Sequence, residues 1–138
     1  MKRTKQDITF SELVRERSAW HCEVCGKYFP EGHRQGLDTS HYYSRAKAAT
    51  RLHPDNAAAM CRGCHQHMGD NPLLFAEWIE RHLGARMGYI RLLSNTIVKK
   101  TKGYKELEYQ HLKRELARMK QLRRDGETGR ISFDSYED

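Results

Sequence analysis

Two Cys-x-x-Cys pairs, Cys22-Glu-Val-Cys25 and Cys61-Arg-Gly-Cys64, bracket Asp38-Thr-Ser-His41 and Asp55-Asn56, and His65 directly follows the last cysteine. All four cysteines fall in the two pairs. A two-residue spacer lets one tight turn present two sulfurs, and four soft ligands satisfy a tetrahedral cation. Cys22, Cys25, Cys61 and Cys64 are therefore expected to hold a structural Zn²⁺ and to close the loop of residues 26–60. Two disulfides are the other use of four cysteines. The start, Met1-Lys-Arg-Thr-Lys-Gln-Asp7, is charged and leads into no apolar stretch of a secretory leader. A chain kept in the cytosol keeps its thiols reduced, which favours zinc.

The residues between the pairs can do hydrolytic chemistry. Cutting a phosphodiester takes a base to activate water, a Lewis acid to take up charge, and a scaffold that aims the base. His41 suits the base, because a neutral imidazole is available near pH 7. His65, held beside Cys64, suits a metal ligand, and Asp38 offers the anionic oxygen that Mg²⁺ or Mn²⁺ prefers. Asn56 can hold the His41 ring or the backbone near it. Each residue also has an ordinary use. Asp55-Asn56 after Pro54 reads equally as a turn, and Asp38 as a cap or the partner of an arginine. His21, His33, His53, His82 and His111 read as surface histidines, and His67 stays open.

These groups must be positioned by a small chain. The 138 residues carry a formal net charge of +7 and 38% hydrophobic residues, with a mean hydropathy of −0.90. That bounds the chain to one modest core with arms, of the kind that often folds around a metal. The charge favours a polyanionic partner. No apolar run approaches the ~20 residues that span a bilayer. Thr9-Phe-Ser-Glu12 reads as a capping box, with Ile8 and Leu13 as its staple, so a helix is expected from about Phe10 to Ser18. Leu37 to Tyr43 reads as a strand, and residues 57–60 lead into the second Cys pair. Asn71-Pro72 starts a helix with Leu74, Phe75, Trp78, Ile79 and Leu83 on its apolar side, and Gly84 stops it. A second helical stretch covers about Ala85 to Leu93. Val98 to Gly103 is a basic connector. A long helix from about Tyr104 to Arg124 follows, with Tyr109, Leu112, Leu116, Met119 and Leu122 on one face. The expected divisions are an N-terminal helical arm (1–19), a metal core (20–72), a C-terminal helical region (73–125) and a loose polar tail (126–138).

The order Cys-x-x-Cys, His41, Asn56, Cys-x-x-Cys-His65 resembles the HNH, or ββα-metal, nucleases in their zinc-bearing form. A closer resemblance runs through Leu37-Asp-Thr-Ser-His-Tyr-Tyr-Ser-Arg45, Ala49-Thr-Arg51, Asp55-Asn56 and Cys61-x-x-Cys64, with Trp20-x-Cys-x-x-Cys-Gly26 upstream. These are similar to the NinG/Rap recombination proteins of lambdoid phages over about residues 8–123, most specifically over 20–72. The resemblance implies an α+β fold: a small zinc-knuckle ββα-metal, treble-clef-like core with flanking helices. It also implies a divalent-metal-dependent DNA endonuclease selective for branched recombination intermediates such as a Holliday junction, leaving 5′-phosphate and 3′-hydroxyl ends. In that reading His41 is the base, Asn56 its support, and Asp38 and His65 ligands of a catalytic Mg²⁺ or Mn²⁺. The chain departs from those patterns at His65, where NinG/Rap members mostly have Asn, and at Ser40, where many HNH nucleases place an Asp or His ligand. Asp38 is then expected to reach its ion through a strand bulge or a water.

Arg45, Arg51 and Arg62 stand near the expected site and Lys99, Lys100 and Lys102 on the connector, as candidate phosphate contacts. Lys113, Arg114, Arg118, Lys120, Arg123 and Arg124 extend the basic surface. Tyr42 or Tyr43 is a candidate to stack on an unpaired base, with at least one of them in the core. Junction resolution takes two cuts, which makes a homodimer through the amphipathic C-terminal helix a candidate assembly. The implied setting is the cytoplasm of a bacterial host, from a phage or prophage. Two other readings compete: a non-catalytic zinc module that binds nucleic acid or protein, and an HNH nuclease that nicks ordinary duplex, as in restriction or packaging.

Overall fold

Thr4 starts the first helix. Its Oγ accepts from the backbone N–H of Asp7 at 3.2 Å, and Asp7 Oδ2 accepts from the N–H of Thr4 at 2.8 Å. This reciprocal box satisfies two of the helix's orphan donors. Helix α1 therefore runs Lys5–Arg17, a turn and more ahead of the start expected at Thr9. Thr9 lies inside the helix and donates to the carbonyl of Lys5 at 3.1 Å. Ile8 is then 52% exposed while Leu13 is fully buried, so the expected staple does not form. Beyond Ser18 the chain leaves the helix through two left-handed residues, Ala19 (φ 53°) and Trp20 (φ 61°). The indole N–H of Trp20 donates to the buried Glu16 carboxylate at 3.1 Å, which helps hold this uncommon conformation.

The computed structural model describes residues 1–30, 32 and 35–137. Among them the chain is α+β, with five α-helices and one two-stranded antiparallel sheet. Strands β1 (Leu37–His41) and β2 (Ala57–Cys61) pair in continuous register, from Leu37 opposite Cys61 to His41 opposite Ala57. There is no bulge at Asp38. Leu37, Thr39 and His41 share one face of β1, and Asp38 and Ser40 the other. A single 3₁₀ turn, Pro54–Asn56, feeds β2, and Cys61 caps α2 (Arg62–Asp70) by accepting from Cys64 N–H. Buried Arg17 donates to the carbonyls of Pro54 at 2.7 Å and Ala57 at 2.6 Å, which ties α1 to that turn.

Helix α3 (Pro72–Leu83) ends at Gly84, whose φ of 56° suits glycine. Ile79 and Leu83 are its buried residues, whereas Leu74, expected on the apolar side, is 38% exposed. Helix α4 (Arg86–Ser94) adds Ile90 to this small second cluster. Helix α5 (Lys102–Arg124) lies parallel to α1: Lys5 pairs with Glu106 at one end, and Glu16 with Arg123 at the other. Its Leu112 and Met119 are buried in the main core with Phe10, Leu13 and Val14. The face expected to make a dimer is thus used within the chain.

The tail also departs from expectation. Ile131 and Phe133 are 7% and 4% exposed. Ile131 N–H donates to Arg17 O, and Phe133 packs edge-on against Phe10 with ring centroids 5.9 Å apart. Polar neighbours hid these two apolar residues in an otherwise hydrophilic segment. Phe133→Ala is expected to lower unfolding free energy by about 3–5 kcal/mol, the usual cost of deleting a buried ring. Urea unfolding of the metal-loaded protein measures it; a loss below about 1 kcal/mol would mean the tail is not docked.

Candidate functional site

The four sulfurs of Cys22, Cys25, Cys61 and Cys64 lie within 4.8 Å of one another. Four thiolates at about 2.3 Å from a tetrahedral Zn²⁺ stand about 3.8 Å apart. Cys25 Sγ and Cys61 Sγ are 3.8 Å apart. In each Cys pair the second cysteine's N–H points at the first one's sulfur, at 3.5 Å for Cys22 and 3.4 Å for Cys61. Burial raises the Cys22 thiol, but backbone N–H groups of Cys25, Cys61 and Val24 outweigh it and bring the group down to about 7. Burial and neighbouring thiols push Cys64 up. Thiolates this close ionise together only around a cation, so the cluster suits a metal such as zinc. Glu23, inside the first Cys pair, accepts from Ala59 N–H at 2.7 Å and meets Arg17, His82 and Arg130. Burial works against that carboxylate, yet these partners hold it at about 2.

Of the residues expected to hold a second ion, Asp38 and His65 come together. His65 Nδ1 stands 3.1 Å from Asp38 Oδ2, both half-buried. That is hydrogen-bond distance, and among the described residues no third His, Cys, Asp or Glu joins the pair as a possible metal ligand. Arg62 is 3.7 Å from the other Asp38 oxygen. His41 is on the opposite face of β1, against Phe10, with ring centroids 5.7 Å apart. It is not within hydrogen-bond reach of the Asp38–His65 pair. A cavity of about 200 Å³ is bordered by Asp38, Thr39 and His41 of β1, by Arg3, Asp7, Ser11 and Arg15 of the α1 side, and by Arg45.

The loop after β1 holds His41. Its Nε2 lies 3.0 Å from the carbonyl of Arg51. A carbonyl only accepts, so in the neutral ring Nε2 carries the proton and Nδ1 keeps the lone pair. Burial holds the imidazole below its ordinary value; the bond to Arg51 O and the Asp7 charge oppose this, and the Arg45 and Arg51 charges add to it. Asn56 is fully buried and pins the loop at two places. It accepts from Tyr43 N–H at 2.8 Å and donates to the carbonyls of Tyr43 at 3.1 Å and Thr50 at 3.0 Å. It steadies backbone rather than the ring.

Sequence reasoning missed Asp7. Arg51 Nε donates to Asp7 Oδ1 at 2.8 Å and Arg51 Nη2 to its other oxygen, with Arg45 3.5 Å away. Burial raises Asp7, but Arg51 and Thr4 N–H bring it down to about 2, so it is charged at any ordinary pH. The Thr4-x-x-Asp7 spacing was the available signal. Arg45 and Arg51 are thus engaged within the protein. So is Lys100, paired with buried Glu108 at 2.8 Å. Arg62, Lys99 and Lys102 are exposed. Tyr42 is a core residue, edge-on to Phe75 and Trp78. His53, expected at the surface, is buried and accepts from Asp55 N–H at 3.1 Å. His82 stacks on Trp78. His33 lies outside the described residues.

No helix among the described residues is long and apolar enough to cross a membrane. No family model matches the chain, and no curated protein or solved structure matches it either.

One metal ion per chain is expected at the cysteine cluster. Cys64→Ser or a strong chelator should unfold the centre of the domain, because structural metal binding is largely folding energy. Metal analysis with circular dichroism tests this; a chain that keeps its fold and its helix content after complete metal removal would refute it.

Proposed function

We propose that the chain is a divalent-metal-dependent DNA endonuclease of the HNH, ββα-metal type, with zinc in its cysteine cluster. One observation carries this reading: a single cavity is bordered by His41, whose N–H is held by the Arg51 carbonyl, and by Asp38, which pairs with His65, the residue directly after Cys64 of the four-cysteine cluster. A merely structural metal module has no use for that arrangement.

His41 Nδ1 takes a proton from water, and the Arg51 carbonyl steadies the imidazolium that forms by holding the N–H on the other side of the ring. Asp38 and His65 would hold Mg²⁺ or Mn²⁺, which supplies Lewis acidity to the phosphate and the leaving 3′-oxygen. Asn56 and Asp7 keep the Arg51 carbonyl in place, the first through Thr50 and the second through the Arg51 guanidinium. Arg62 beside Asp38 is available for a flanking phosphate, and Lys99 and Lys102 for a more distant one. The net charge of +7 draws the polyanion in. Selectivity for branched over ordinary duplex DNA rests on the NinG/Rap resemblance.

The test is plasmid and four-way-junction cleavage with Mg²⁺ or Mn²⁺. His41→Ala should lose about 100- to 10,000-fold in rate with metal content and DNA affinity retained. Cleavage by that variant at the parent rate would remove the assignment. Because His41 is held below its ordinary value, the acid limb of the rate, where the base takes up a proton, should be centred below pH 6.5. An acid limb centred above pH 6.5 would contradict this. Asp7→Asn keeps an acceptor for Thr4 N–H but releases Arg51, so kcat should fall by up to about 100-fold through misplacement of the base. An unchanged kcat would show that Asn56 alone suffices.

A further inference from the structure

A second cavity, of about 330 Å³, lies on the far side of the His41 loop. Its walls come from Leu52 and His53, from Tyr89 of α4, from Lys99 of the connector, from Tyr104 of α5 and from Tyr136 of the tail. The volume is at the small end for ligand pockets, about 300–1,000 Å³, and suits one ring system with its sugar. The rings form two pairs: His53 with Tyr89, centroids 5.8 Å apart, and Tyr104 with Tyr136, edge-on at 5.3 Å. Tyr89 is 49% exposed.

Glu108 is closed off by Lys100, while Lys99 and Lys102 are exposed and have no ion pair among the described residues. Burial, then Glu108 and Glu137, push the Tyr104 hydroxyl up, so it stays a neutral donor. Glu108 and Lys100 neutralise each other on the cavity wall, which leaves Lys99, exposed and also on that wall, to meet an anion. The ligand class that meets these demands is a planar aromatic ring with polar edges, joined to an anion. That is a nucleotide.

We propose that this cavity takes one unpaired nucleotide of a DNA strand, base inside among the tyrosines and phosphate at Lys99. This deepens the nucleic-acid reading above and rests on it. Leu52 and His53 directly follow Arg51, whose carbonyl holds His41. A base captured there anchors an unpaired strand next to the cutting site, and an unpaired nucleotide is what a bulge or a flap offers and a continuous duplex lacks. Tyr42, enclosed by Phe75 and Trp78, cannot serve this purpose.

The experiment measures binding of the metal-loaded full chain, by fluorescence anisotropy without added Mg²⁺, to two duplexes identical except for one central unpaired nucleotide. The parent should prefer the bulged duplex by about 5- to 100-fold, the range that base–aromatic stacking supplies. Tyr89→Leu and Tyr136→Leu should each lose most of that preference, with affinity for the paired duplex and metal content unchanged. Equal affinity of the parent for both duplexes, or full preference in both variants, would overturn the proposal. So would a free nucleoside monophosphate that competes as well as the bulged duplex, which would assign the cavity to soluble nucleotides. A parent that binds neither duplex removes the DNA reading and this inference with it. A His41→Ala variant that cuts normally while the bulge preference depends on Tyr89 removes only the catalytic assignment.

Discussion

Sulfur–sulfur repulsion is the constraint on which the rest of this molecule turns. Four thiols gathered within 4.8 Å are stable as thiolates only around a shared cation, and the chain invests much of its backbone in gathering them. The first Cys pair is delivered by the left-handed Ala19-Trp20 turn at the end of α1. The second closes β2 and caps α2 with the sulfur of Cys61. A cation held there would join the end of the hairpin to the start of a helix. Asp38 on β1 and His65 on α2 meet only because that junction is fixed.

Charge plays a different part away from the sulfurs. Arg17, Glu23 and Asp7 are enclosed ions, and each is satisfied by backbone or by an opposite charge. Removing one partner leaves a stranded charge, whose cost exceeds what the pair contributes. Such ions fix geometry more than they add stability. Arg17 sets the 3₁₀ turn before β2, Glu23 locks the first Cys pair to β2, and Asp7 locks Arg51 to α1. Together they make a rigid frame from a chain with a modest apolar core.

How much of this was legible in the residues follows from the range of each interaction. The Cys pairs, the strand at Leu37, the Asn71-Pro72 start, the Gly84 stop and the long helix are written in local spacing, and all were readable. The start of α1 was misread because Thr4-x-x-Asp7 and Thr9-x-x-Glu12 are both sound capping pairs, and the choice between them is made by Arg51, more than forty residues away. His53 and Tyr42 went inside through contacts that no short pattern records. Tail residues Ile131 and Phe133 lack a periodic neighbour, so their burial is visible only once α1 and α5 lie side by side. At the candidate site the residue types were legible. The separation of His41 from the Asp38–His65 pair by the thickness of one strand was not, since it depends on the absence of a bulge.

The contact of Phe133 with Phe10, and of Phe10 with His41, has a consequence for how the protein is made. A ribosome emits α1 more than a hundred residues before Phe133. Until the tail emerges, the side of Phe10 that it covers stays open to water. The ring of His41, which packs against Phe10, therefore reaches its final surroundings late. A half-made chain has its four cysteines but not the packing around His41, so the order of synthesis itself delays completion of the candidate site.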